Sequence, residues 1–129
     1  MVTVSTGLSA VERVEIAYTC TATEAVGDIV CLDPSGSNKV IKASNTSTST
    51  APAIGIIVSK PSTTTAVIRT GVESGGFVGI VAGATYFLGT SGTLTTTAPT
   101  ATGTIVQSVG IGVSSTKVLI DPEINYFVN

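Results

Sequence analysis

The chain offers little to do covalent chemistry with. Its 129 residues include eight acids, six basic residues, two cysteines and no histidine. Without histidine, the Ser-His-Asp and Cys-His nucleophile arrangements are missing, as is the commonest metal ligand. Two carboxylate pairs lie close in sequence, Glu12 with Glu15 and Asp121 with Glu123. Glycoside hydrolysis needs two carboxyl groups facing each other across a cleft. Scattered acids on a small domain are more simply read as solvated surface. Cys20 and Cys31 stand eleven residues apart, and without further Cys or His they make no zinc site. They could pair if they fell on neighbouring strands, but a reducing cytosol favours two free, half-buried thiols. Gly110-x-Gly112 lacks the third glycine and the following helix of a dinucleotide loop. Six aromatics, Tyr18, Phe77, Tyr86, Phe87, Tyr126 and Phe127, are too few for a stacking platform. No catalytic residue, cofactor site or metal site is therefore assigned, and no enzyme activity is expected. Shape and backbone are left as the working parts.

The composition says what kind of shape. Hydrophobic residues make up 43% and charged residues only 11%, under half the usual share of about 25%. Ser and Thr together number 36, and from Ser74 to Thr116 no Asp, Glu, Lys or Arg occurs. Thr and Val suit a pleated sheet, and depletion of charge marks the centre of protein–protein interfaces. A neutral, hydroxyl-rich soluble protein is the plainer alternative. The net charge is −2 and the cations are scattered, which argues against nucleic-acid binding. No apolar run reaches membrane-spanning length. Met1-Val-Thr-Val-Ser-Thr lacks the charged start and apolar run of a signal peptide, so synthesis in a cytosol is expected.

Period-2 alternation places the strands. Val11 to Thr21 alternates, with Val14, Ile16, Tyr18 and Cys20 on one face. Ile29 to Leu32 and Lys39 to Ala43 flank Asp33-Pro-Ser-Gly-Ser-Asn, a strong turn because Pro presets φ and Gly takes the left-handed position. Ser44 to Ala51 reads as a low-complexity loop with nothing to bury. Ile54 to Ser59 and Ala66 to Glu73 read as strands. Arg69 and Glu73 lie some 13 Å apart on the latter and need not pair. Gly75-Gly76 turns into the apolar run Phe77 to Val81. Thr85 to Leu88 and Thr93 to Thr96 flank the hairpin turn Gly89 to Gly92. Ile105 to Val113 reads as one strand, with Ile105, Gln107, Val109, Ile111 and Val113 sharing a face. Val106, Ser108, Gly110 and Gly112 form the other, small enough for close backbone approach. Val118 to Ile120 ends at Asp121-Pro122, since Pro cannot donate into a ladder. Helical periodicity is lacking, and nine or ten short strands at regular spacing indicate an all-β sandwich or barrel.

Three segments follow: an extended N-terminal arm, 1–10; one β domain, 11–122; and a C-terminal tail, 123–129. The arm is too polar to anchor itself strongly, so it is either frayed or held by a neighbour. The tail, with Ile124, Tyr126, Phe127 and Val128, is apolar for a free terminus and should pack on its own core or on a neighbour.

The order of these segments carries a resemblance. Ala25-Val-Gly-Asp-Ile-Val-Cys-Leu-Asp leads through Ser35-Gly to Val40-Ile-Lys-Ala. Then come Ile54-Gly-Ile-Ile, Val67-Ile-Arg-Thr-Gly-Val, Gly83-Ala-Thr-Tyr-Phe-Leu-Gly and Ser91-Gly-Thr-Leu-Thr-Thr. Gly103-Thr-Ile-Val-Gln-Ser-Val-Gly-Ile-Gly-Val and Val118-Leu-Ile-Asp close the series. From about Glu24 to Asp121 the chain resembles the small β-rich structural proteins of tailed bacteriophages, especially the capsid decoration, or cement, proteins. Related Gly-x-x-Tyr-x-Leu segments also occur in phage fibre and tail proteins. The resemblance implies a compact β-barrel or β-tulip-like sandwich of short antiparallel strands with an extended N-terminal arm. It implies a homotrimer at three-fold positions on the outer surface of the virion capsid, made in the host cytoplasm. It further implies that the major capsid protein is the partner, held at the junctions between coat subunits. Neither nucleic acid nor membrane is an expected partner. Candidate contact residues are Val2, Val4 and Leu8 in the arm and Ile124, Tyr126 and Phe127 in the tail. A fibre, tail or receptor-binding module that recognises a host surface is the alternative.

Overall fold

A computed structural model describes residues 15–73 and 76–129. The described chain forms twelve strands and one 3-10 turn, Thr48–Thr50, and every strand pairing is antiparallel. The first sheet holds β1 (Glu15–Thr19), β2 (Ile29–Leu32), β3 (Val40–Lys42), β4 (Ala53–Ser62) and β5 (Thr65–Arg69), in the order β1-β5-β4-β2-β3. The second holds β6 (Gly71–Glu73), β7 (Thr85–Leu88), β8 (Leu94–Thr95), β10 (Ser108–Ser114) and β11 (Lys117–Ile120), in the order β6-β11-β10-β7-β8. A short ribbon pairs β9 (Ile105–Val106) with β12 (Phe127–Val128). The all-β, antiparallel expectation holds, but no closed barrel forms. A single bridge between Thr19 and Lys39 joins the two edges of the first sheet, which curls that sheet without the ladder that closure needs.

Curling gives the first sheet two buried faces. Its outer face supplies Ile29, Cys31, Ala53 and Ile56 to a core shared with Leu88, Val109, Val118 and Ile120 of the second sheet. Its inner face gathers Cys20, Val30, Val40, Ile57, Ala66 and Ile68. That is why β2 is apolar at consecutive positions: Ile29, Val30 and Cys31 are all fully buried, as in strands covered on both sides. It also places Cys20 and Cys31 in different cores. Both thiols are free and buried rather than half-buried.

The β2–β3 hairpin follows its turn signal: Gly36 has φ of 79° and its N–H donates to the Asp33 carbonyl. Elsewhere the alternation misleads. The expected strand from Ala66 to Glu73 breaks at Thr70-Gly71, where Gly71 has φ of 107° and the chain passes from one sheet to the other. Arg69 and Glu73 do pair, at 3.4 Å, because both long side chains lie on one face with only Gly71 between them. The expected strand from Ile105 to Val113 breaks at Gln107. A register shift between Ser108 and Gly110 then inverts its phase, as a bulge does. Gln107 and Val109 point into the core, but beyond the shift Gly110 and Gly112 are the buried residues and Ile111 and Val113 face out.

The two inward glycines are required there. A Cβ on Gly110 would strike the Leu119 carbonyl, and one on Gly112 would strike the Val81 carbonyl. The close approach expected at these positions is therefore real, and at Gly112 its partner is the irregular strap from Gly76 to Ala84. The strap is held by Ile80 N–H to Ser115 O (3.1 Å), Gly83 N–H to Gly112 O (2.8 Å) and Val81 N–H to the Tyr86 hydroxyl (3.0 Å). Phe77 and Ile80 press from it onto the shared core.

Candidate interaction surface

Where the phase of β10 inverts, apolar side chains come to the surface. Ladder pairing aligns Thr85 with Ile111, Ile111 with Leu119, and Leu119 with Val72. Directly opposed residues share a face, so one row crosses β7, β10, β11 and β6 on the outside of the second sheet. Ile111 is 47% exposed, Val72 43% and Leu119 37%, with Val113 beside them at 46%. Together they expose on the order of 300 Å² of apolar surface, the size at which a patch on a single chain tends to be functional. Within the row itself no residue is charged.

The tail makes a second apolar surface by a different route. Its backbone is pinned to its own domain. Glu123 donates to Ser108 O (2.8 Å), Asn129 donates to Thr104 O (2.8 Å) and accepts from Gly103 N–H (2.8 Å), and the Asn129 amide reaches Pro99 O (2.8 Å). Between these pins β12 pairs with β9, yet Phe127 is 69% exposed and Ile124 57%. Tyr126 is half-buried. The tail's backbone thus rests on its own domain, while Ile124, Phe127 and Val128 remain exposed. Such a ridge presents its contacts already ordered, which lowers the entropic cost of association. Val2, Val4 and Leu8, and the whole arm, lie outside the described residues.

Gln107 holds tail and sandwich together. It is 1% exposed. Its Oε1 accepts from Ala53 N–H (2.7 Å), and its Nε2 donates to Ala53 O and to Glu123 O (each 3.0 Å). Both amide ends are satisfied, as a buried amide requires. Asn45 does the same job one layer away. The segment expected to bury nothing buries Asn45, whose Nδ2 donates to Leu88 O (3.0 Å) and whose carbonyl accepts from Ile105 N–H (2.8 Å). A lone polar side chain on an otherwise apolar strand face, with Ile105 and Val109 on either side of it, was the sequence signal for Gln107. Asn45 had none, sitting among six Ser and Thr residues.

Polar groups elsewhere are occupied with structure. Glu24 is buried, against the solvated reading of the acids. Its carboxylate accepts from Thr21 N–H (2.7 Å) and from the Thr21 and Thr23 hydroxyls (each 2.8 Å). Burial works to raise its pKa, but these bonds and the Lys60 charge outweigh it and hold the carboxyl below its usual value. Lys60 in turn donates to the Thr21 and Glu24 carbonyls (2.8 and 2.7 Å), clamping the turn after β1. Burial, and then the Asp33 charge, push the Cys31 thiol up to about 11, so it is a packing group and not a nucleophile. Ser114-Ser-Thr-Lys117 has the Ser-x-x-Lys spacing, but it forms the tight turn joining β10 to β11, not the helical turn that would set the amine on the hydroxyl. An open recess of about 370 Å³ beside the strap is lined chiefly by glycines and apolar side chains. Its Asp28 carboxylate already accepts from Ala25 N–H (2.9 Å). Among the described residues, no three metal-ligating side chains cluster, and no helix is long and apolar enough to cross a membrane.

No family model, curated protein or solved structure matches this chain.

Proposed function

We propose that this protein is a structural component of a bacteriophage particle that decorates the capsid and stabilises it by bridging neighbouring coat subunits. The observation that carries the reading is the uncharged apolar row Val72–Leu119–Ile111 on the outside of the second sheet. A row of that kind suits contact with other protein. The order of segments that resembles cement proteins, the low charge, and the pinned apolar tail support the same reading.

In this account the outer face of the second sheet packs against copies of the same chain. The row carries no charge, so self-contact buries no unpaired ion, a burial that would cost several kcal/mol. Its roughly 300 Å² is less than the ~800 Å² per partner of a stable interface. Residues around the row must therefore add to the contact, and a closed trimer multiplies it. The tail and the N-terminal arm are left to grip the coat. Several weak grips on one trimer act together through effective concentration, which suits a clamp that must resist outward pressure at many equivalent points.

Imaging the whole particle tests this. Density for the protein over capsid three-fold positions is the expected result. Density confined to tail or fibres overturns the capsid reading in favour of a host-recognition module. In a companion experiment, removal of residues 1–10 is expected to weaken binding to undecorated, expanded capsids, and unchanged binding removes the arm from the account.

A further inference from the structure

The apolar row Val72–Leu119–Ile111 runs across the strands, and the charges beside it lie along one of them. Lys117, Leu119 and Asp121 alternate with the buried Val118 and Ile120, and all three are exposed. Asp121 lies one residue beyond β11 and is kept in line by its N–H, which donates to Val109 O (2.8 Å). A strand sends alternate side chains to opposite faces, so Lys117 stands on one side of the row and Asp121 on the other, each about 7 Å from Leu119 along the strand. The only other charge in the strands of this sheet is Glu73, which is buried and pairs with Arg69. The outer face thus carries one positive and one negative charge with the apolar row between them.

Neither charge is paired within its own chain. The ion pairs join Lys39 to Asp33, Lys42 to Asp28, and Arg69 to Glu15 and Glu73. Lys60 donates to the carbonyls of Thr21 and Glu24. Among the described residues, Lys117 and Asp121 have no ion-pair partner. They stand some 13 Å apart along the strand, with Leu119 between them.

Contact between copies through this face therefore has two distinguishable arrangements. Head to head, Lys117 comes toward Lys117 and Asp121 toward Asp121, and like charges across a contact are strongly unfavourable. Head to tail, Lys117 of each chain meets Asp121 of the next, with the apolar rows facing one another. A head-to-tail contact is heterologous, the type that closes into a ring, so this charge placement suits a trimer.

We propose that Lys117 of each chain pairs with Asp121 of a neighbouring copy and so fixes the direction in which the outer faces come together. This rests on the reading of that face as a self-contact. The row supplies the attraction, and the charges at its two sides select the arrangement, which is the usual division between apolar and charged groups at an interface.

Sedimentation equilibrium of the full chain over a concentration series tests this, with Lys117→Asp, Asp121→Lys and the double variant that exchanges the two charges. Each single reversal sets like charges together at every contact and is expected to raise the dissociation constant of the assembly about tenfold or more. The double variant restores opposite charges in the reverse sense and is expected to recover most of that loss. If the native chain assembles and the single reversals assemble equally well, or if the double variant is no better than the singles, the pairing is overturned and the self-contact reading stands. A native chain that stays a single copy at every concentration overturns the self-contact reading, and the pairing with it.

Discussion

Replacing Gln107 by glutamate changes one atom in a site where both ends of the amide are used. The side chain keeps its volume, and Oε1 can still accept from Ala53 N–H. The other end must now face the carbonyls of Ala53 and Glu123, to which Nε2 donates in the native protein. Protonated, a glutamic acid there can donate to one carbonyl and not both, a loss of about 1 kcal/mol. Ionised, it places a buried charge against two carbonyl oxygens, so its pKa in the folded state rises above the unfolded value of about 4.3. A group with a raised folded pKa keeps its full contribution below the unfolded pKa and loses it as pH climbs toward the folded one. Each unit costs about 1.4 kcal/mol, so a folded pKa of ~7 or more adds roughly 3.7 kcal/mol of destabilisation by pH 7. Gln107→Glu is thus expected to be about 1 kcal/mol less stable than the native chain at pH 4 and about 4–5 kcal/mol less stable at pH 7. Urea denaturation of both proteins at pH 4, 5, 6 and 7 measures the difference, and carboxylates common to both cancel. A deficit that stays flat across this range would refute the reasoning, because it would mean the amide is not clamped between Ala53 and Glu123.

Three further outcomes follow from the packing. Gly112→Ala drives a methyl group into the Val81 carbonyl and to 2.9 Å from Ile80 Cγ2. It should cost about 1–3 kcal/mol and lower Tm by roughly 4–11 °C, and an unchanged Tm would mean that the strap does not lie on β10. Cys31, buried and with its pKa near 11, should resist a thiol reagent at pH 8 until the protein is unfolded, and rapid labelling of the native protein would contradict its placement. Glu24 has a lowered pKa in the fold, so its contribution is present above the unfolded value and is lost as pH falls through the folded one. Glu24→Gln should therefore be less stable than the native chain at pH 7, with the gap narrowing near pH 3 in the same urea assay.

What was legible beforehand was whatever local chemistry dictates. Asp33-Pro34-Ser35-Gly36 specifies its turn without help from the rest of the fold, and the hairpin from β7 to β8 closes around Gly89 to Gly92 for the same reason. The period-2 pattern also found nearly every strand. It could not find where strands change sheet, because alternation runs unbroken through Thr70-Gly71 and through Gln107. Nor could it find the bulge after Ser108, which shifts the ladder by one residue and so exchanges the two faces of β10. That shift is what carries Ile111 and Val113 outward, so half of the candidate surface was hidden in a pattern that seemed to bury it. The tail was legible as apolar, but its pins were not, since backbone bonds from Glu123 and Asn129 depend on partners some fifteen and twenty-five residues away.

The central claim is that this fold works by adhering to a shell of coat subunits. It is tested most directly by co-sedimentation with expanded, undecorated bacteriophage capsids, using the native chain beside Ile111→Asp. The native protein should pellet with capsids at a fixed, saturating ratio and raise their resistance to heat. Ile111→Asp puts a charge in the middle of the apolar row through which copies of the chain are proposed to pack, so it should fold but lose the trimer and with it the multivalent grip on the coat, binding capsids at least tenfold more weakly. A native protein that stays in the supernatant at every capsid concentration would contradict the account.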